Sequence, residues 1–285
     1  MKISELYRQN RTVLSFEVFP PKKEDGIETV YDTVAKLSVL KPDFISVTYG
    51  AGGGAAEKRL TADIAQRIKD KHGAEALAHL TCVGTSAGEI NRIAEDLKGR
   101  GIENVLALKG DNTNGGGFPY AKDLIAELKK YGFCIGAAAY PEAHIACESV
   151  ELDIERMKQK QDAGAEFFVT QLFFANDIFY RFMDRARAAG VTAPVSAGIM
   201  PILSKLQVQR MIFMCGASLP SPVIKMINRY GDEGESLLKA GVEYSYGQMR
   251  DLCTRGAQGI HIYTMNKPFI AEYCTGRLMA DGLIK

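Results

Sequence analysis

The sequence has no tryptophan, no two cysteines spaced as a CxxC pair, and no excess of either charge. Lysine and arginine total 35 against 34 aspartates and glutamates, a formal net charge of +1. No broad field therefore favours nucleic acid or an anionic membrane surface as a partner. No apolar run approaches the ~20 residues needed to cross a bilayer. The opening stretch, MKISELYRQNRTVLSFEVFPP, has no apolar segment of signal-peptide type. The six cysteines (Cys82, Cys134, Cys147, Cys215, Cys253 and Cys274) stand far apart, and His72, His79, His144 and His261 show no zinc-ligand spacing beside them. The expectation is a cytoplasmic protein with free thiols and no metal.

What the chain does have is alternation. Short, near-continuous apolar runs predict strands at Val13–Phe19, Phe44–Tyr49, Ala76–Cys82, Asn104–Lys109, Phe133–Ala139, Phe167–Leu172, Val195–Gly198 and Gly259–Ile262. Runs of this kind belong to strands covered on both faces, as in a parallel sheet. Between them lie amphipathic stretches. Ile27–Leu40 places Val30, Val34, Leu37 and Leu40 three or four residues apart, the spacing of one helix face. Glu57–Lys71, Ala87–Gly99, Ala121–Tyr131, Glu148–Ala163, Asp177–Ala188 and Lys205–Met214 read the same way. Ser86 with Glu89 three residues on is a capping-box signal, and Gly101, Gly132, Gly164 and Gly190 each stand where a helix should stop.

Eight strand–helix repeats without a linker predict an α/β fold: a single (β/α)8 TIM barrel over residues 1–285. The alternative, a doubly wound open sheet, needs a glycine fingerprint at its first strand–helix turn. That turn is Phe19-Pro20-Pro21-Lys22-Lys23, with no glycine before Gly26. Cys215–Arg255 is too long for one helix and predicts two or three extra helices between strands seven and eight.

A barrel of this kind places its chemistry at the C-terminal ends of the strands. Glu17 stands out, a carboxylate within the apolar string SFEVF. Burial disfavours its charged form and suits a general acid; an ion pair across the interior is the plainer alternative. Asp111 follows a strand and a glycine, so it either approaches a ligand or closes an Asx turn. His79 and His144 are hydrogen-bonding candidates. Gln171 is an amide facing the interior, for recognition or for bonding to backbone. His261 and Tyr263 end strand eight. The runs Gly52-Gly53-Gly54 and Gly115-Gly116-Gly117 are loops that either cradle a phosphate or simply move.

The strings SFEVFPP, FISVTYGAGG, LAHLTC, ALKGD, AAAYPEAH, VTQLFF, AGIMPI and HIYTMNK fall in order along the chain. Together they resemble the methylenetetrahydrofolate reductase family in its short bacterial form, over about Leu14 to Cys274, without the regulatory domain of the eukaryotic enzymes. The resemblance implies that NADH or NADPH reduces FAD and that the flavin then reduces 5,10-methylenetetrahydrofolate to 5-methyltetrahydrofolate, one ligand replacing the other. It implies Glu17 as the general acid and Asp111 beside the flavin and the pterin. Thr48, Tyr49, Ala51, His79, Lys109, Gly110, Ala121, Tyr140, His144, Asp153, Arg156 and Lys160 fall at flavin- or nicotinamide-binding positions. Gln171, Gln207, Met211 and Lys267 fall at substrate-binding ones.

The sequence also departs from the family pattern. Lys109 and Lys267 stand where arginine is expected, Gln159 for an arginine and Arg156 for an asparagine, and Met211 for an aromatic. A folate is the implied small-molecule partner, with a homo-oligomer or a partner redox subunit as the protein partner. Two other classes compete: a lyase or aldolase-type barrel, for which Lys109 is the strand-end lysine, and a catalytically silent subunit.

Overall fold

A computed structural model describes the chain except residues 22–23, 50–54, 83, 111–116 and 232, and the side chains of 24 and 55–58. A short helix α1 (Ile3–Leu6) precedes β1 (Val13–Val18). Then follow α2 (Ile27–Val39), β2 (Phe44–Val47), α3 (Ala55–His72), β3 (Glu75–Thr81), α4 (Ala87–Gly99) and β4 (Asn104–Leu108). The second half runs α5 (Ala121–Lys129), β5 (Cys134–Ala139), α6 (Val150–Asp162), β6 (Phe167–Thr170), α7 (Asn176–Ala188) and β7 (Val195–Ile199). It ends with α8 (Lys205–Cys215), α9 (Ser221–Tyr230), α10 (Gly234–Thr254), β8 (Gly259–Tyr263) and α11 (Pro268–Ala280). The strands pair in parallel in chain order, and β1 also pairs with β8, which closes the barrel.

All eight expected strands form, with every end within two residues of the expected one. Ser86 caps α4 by accepting from the N–H of Glu89 at 3.2 Å. Gly101, Gly132, Gly164 and Gly190 all have positive φ, as helix-terminating glycines do. Cys215–Arg255 contains α9 and α10, two helices among the described residues.

The strand residues divide by pleat parity. Outward residues such as Phe16, Ile45, Ala78, Val105, Phe168 and Ile260 pack with the helices in one continuous shell. Val13, Phe44, Leu77, Leu106, Cys134, Phe167 and Val169 form a separate cluster with Ile3 and Leu6 of α1. The N-terminal helix therefore plugs the lower end of the barrel, where the Ile3 N–H donates to Asn104 Oδ1 at 2.8 Å. Four residues are too few to carry a periodic signal, so this helix was not expected from the sequence. A third cluster, with Leu172, Phe174, Met200 and Ile202, lies under α8 to α10. All six cysteines are free thiols. Among the described residues, no helix is long and apolar enough to cross a membrane.

Candidate active site

Glu17 points into the barrel from β1, one pleat above Ser15. Its side chain is 17% exposed, and Oε2 lies 3.6 Å from Nε2 of His79 on β3 and 3.6 Å from Nε2 of His261 on β8. Burial pushes the His79 imidazole down to about 4, so at neutral pH this ring is uncharged. Its Nε2 has no hydrogen-bond partner among the described residues. His261 is fixed on three sides. Its Nδ1 lies 2.8 Å from Ser15 Oγ. Its ring stacks on Phe44 at 6.2 Å and meets the edge of Tyr263 at 5.2 Å. Tyr263 in turn donates to the Thr170 carbonyl at 2.6 Å, and burial raises its phenol well above the usual range. Gly198 makes room for that bond, because a Cβ there would stand 2.8 Å from the Tyr263 hydroxyl oxygen and 2.3 Å from the Thr170 carbonyl oxygen.

A second group of expected residues gathers at the end of β5 and along α6. Lys160 is half-buried, donates to the Ala138 carbonyl at 2.9 Å and lies 5.3 Å from the Tyr140 ring centre. Burial lowers its ammonium to about 8 against the opposing pull of Asp153. Asp153 is buried and accepts from the His144 N–H at 2.6 Å, while Tyr140 and His144 meet edge to face at 4.9 Å. Asp153 and Lys160 share a helix face, two turns apart. Gly110, at the end of β4, has φ +90, and a Cβ there would come 3.1 Å from Thr81.

Other expected residues hold structure or face solvent. Gln171 turns its amide oxygen onto the Leu172 N–H at 2.9 Å. Gln207 holds the loop after β7, accepting from Leu203 N at 2.7 Å and donating to the Pro201 carbonyl at 3.1 Å. Thr48 receives the Thr61 hydroxyl on its carbonyl at 3.0 Å. Met211 is half-buried against the cluster under α8 to α10, and Ala121 is buried at the start of α5. Lys109, Arg156 and Lys267 are exposed. Tyr49 lines a cleft of about 400 Å³ together with His79, Thr61 and Arg59. Asp111 and Ala51, and both glycine runs apart from Gly117, lie outside the described residues. Ser15, Ser46 and His261 were given no role from the sequence. A two-residue step from Glu17 along β1 is the signal that finds Ser15; the pairing of β1 with β8 is needed to find its partner.

The family model for methylenetetrahydrofolate reductase matches residues 2–274. The chain belongs to the methylenetetrahydrofolate reductase family. The 5,10-methylenetetrahydrofolate reductase of Escherichia coli K12 is 36% identical over 262 residues, covering 91% of this chain and 88% of that protein. Methylenetetrahydrofolate reductase (NADH) 1 of Arabidopsis thaliana is 35% identical over 303 residues, covering 99% of this chain and 50% of that protein. The chain thus spans about half the length of the plant members it matches. In the solved structures, a Clostridium thermocellum protein described as binding two copies of 5-methyl-5,6,7,8-tetrahydrofolic acid has a TM-score of 0.70 at 14% identity, covering 99% of each chain. At that identity the likeness speaks for the barrel fold, which this family member shares.

Proposed function

We propose that this protein reduces 5,10-methylenetetrahydrofolate to 5-methyltetrahydrofolate with NADH or NADPH, through FAD, by a ping-pong mechanism with Glu17 as general acid. The observation that carries this reading is the Glu17 carboxyl at the mouth side of a barrel of this family, between two imidazoles and in reach of a ligand above the strands.

The residues fit a flavin dinucleotide. The desolvated ammonium of Lys160, with Asp153 the carboxylate that acts on it among the described residues, suits a phosphate. The left-handed Gly110 lets backbone approach a flat ring closely. The unpartnered Nε2 of His79 offers a hydrogen bond to a ring heteroatom or a ribityl hydroxyl. Bound there, FAD would accept a hydride from the nicotinamide and give one to the folate.

The protein's part is position and proton control. Tyr140, His144, Asp153 and Lys160 would hold the dinucleotide, with Lys109 and Arg156 reaching it from the rim. Glu17 would give a proton to the anilino nitrogen of the folate. The carbon–nitrogen bond of the bridging methylene then opens to an electrophilic iminium, and Glu17 is left as the carboxylate. Asp111, Gln171, Met211 and Lys267 are proposed for the folate and nicotinamide, which alternate in one site. Reductant reaches the site as NADH or NADPH, or through a partner redox subunit; a cytoplasmic location and a homo-oligomer accord with the reading.

Against an aldolase, Lys109 is exposed, whereas a Schiff-base lysine needs a desolvated amine. The test is direct. Purified full-length protein should carry flavin absorbance, convert 5,10-methylenetetrahydrofolate with a reduced nicotinamide, and give parallel double-reciprocal lines. Protein loaded with FAD that forms no 5-methyltetrahydrofolate with either nicotinamide or an artificial electron donor contradicts the proposal.

A further inference from the structure

Ser15 and His261 occupy paired positions on β1 and β8, both buried, with Oγ and Nδ1 2.8 Å apart. The Ser15 hydroxyl also reaches the Ile260 carbonyl oxygen, at 3.3 Å. A hydroxyl has one proton to give, and a carbonyl can only accept. With that proton on Ile260, the Ser15 oxygen becomes the acceptor, and His261 must carry its own proton on Nδ1. Nε2 then presents a lone pair toward Glu17 Oε2, 3.6 Å away. Such catalytic contacts commonly tighten once substrate is bound. A lone pair there receives the O–H of a carboxylic acid and opposes a carboxylate.

We infer that Ser15 and His261 are positioning residues: the serine, anchored on the Ile260 carbonyl, holds His261 as the Nδ1–H tautomer, so that Nε2 accepts and orients the acid proton of Glu17. The inference rests on the reading of Glu17 as the general acid. When folate binds, the O–H bond of Glu17 breaks as an N–H bond forms on the folate, and Glu17 takes a proton back from water after product leaves. The described titratable groups that face the carboxyl are His79 from β3 and His261 and Tyr263 from β8, while Ser46 holds the paired position of β2 and Ser15 the next inward position of β1. His79 is uncharged at neutral pH and Tyr263 remains a phenol, so neither supplies a competing charge.

Imidazole 15N NMR of the full-length protein reads the tautomer without any turnover. The chain has four histidines, and His261 is assigned by the signals lost in His261→Gln. The expected result at neutral pH is a protonated Nδ1 and an unprotonated Nε2. In Ser15→Ala, a change of one oxygen atom, the proton should move to Nε2 in a large share of molecules. The folate half-reaction should slow by roughly 10- to 100-fold, the scale of lost orientation at a reacting group, with reduction by nicotinamide unchanged. A wild-type His261 protonated on Nε2, or on both nitrogens, overturns the inference, as does an unchanged tautomer in Ser15→Ala. Loss of the general-acid reading would show instead in Glu17→Gln kinetics and would leave the tautomer where it is.

Discussion

The barrel interior has two layers built from the same strands by the same two-residue pleat, and they do opposite work. The lower layer is apolar: Val13, Phe44, Leu77, Leu106 and Phe167 close on Ile3 and Leu6 of α1. One or two pleats higher, the inward residues are Ser15, Glu17, Ser46, His79 and His261. The lower layer gains free energy by removing apolar surface from water. Among the described residues, the upper layer leaves polar atoms without hydrogen-bond partners, with Ser46 Oγ and His79 Nε2 among them. Unpaired buried polar groups cost stability, and their persistence at one end of the barrel marks where a ligand is expected.

The largest expected effect breaks the lower layer. Phe167 is fully buried, its ring fills the space over Gly136, and it sits 5.9 Å from Tyr7 and 6.2 Å from Phe44. Phe167→Ala should cost about 3–5 kcal/mol of stability by denaturant unfolding, while the protein that remains folded keeps its chemistry. A loss below ~1 kcal/mol would mean that the layer is not the structural one.

The next change concerns the half-buried cation of the upper rim. Lys160→Met should weaken flavin binding by about 2–5 kcal/mol, as truncating one partner of a buried charged contact does, read by flavin titration of the apoprotein. The flavin-free protein should respond to pH in a defined window. The folded ammonium is pushed down to about 8 from the usual 10.5 of a free lysine. The unfolded chain therefore holds more protons between those values, and folding stability rises with pH across that window. Lys160→Met should lack the rise.

His79 gives the same sign at acid pH. Its folded value of about 4 lies below the usual 6.5 of a free imidazole, so protonation opposes the fold. Stability should fall as pH drops from 6.5 toward 4, by at most about tenfold in the unfolding constant per pH unit. His79→Asn should flatten that limb, whereas Phe167→Ala should shift the whole curve and keep its slope.

The smallest effect belongs to Met211. On the proposed placement, a flat ligand above Met211 would lack an aromatic partner worth about 0.5–1.5 kcal/mol. Met211→Phe should thus tighten nicotinamide or folate by a factor of roughly 2–13, with flavin content unchanged. Unchanged Michaelis constants would leave Met211 as a packing residue of the cluster under α8 to α10.

The strands were legible because parallel strands covered on both faces are written as unbroken apolar runs. Glu17 stood out in SFEVF because a carboxylate interrupts one of them. The plug was not, since MKISELYRQN carries too few apolar residues for a period. Nor was the Ser15–His261 contact, because it joins residues 246 apart through strand register, which only barrel closure determines. Gln171 read as a recognition group from its position, and Gln207 through the family resemblance. Whether an amide faces a ligand or bonds its own loop depends on side-chain rotation, which no spacing encodes.

The central claim is that the upper layer supplies a proton to the folate and to nothing else. Glu17→Gln tests it most directly, because the amide is near-isosteric with the acid but is not an acid. Stopped-flow absorbance should follow the two half-reactions separately on flavin-loaded protein. The account predicts that reduction of the flavin by nicotinamide persists, while its reoxidation by 5,10-methylenetetrahydrofolate falls by about 10²–10⁴-fold. Near-normal folate reduction by the variant, or equal losses in both half-reactions, would contradict it.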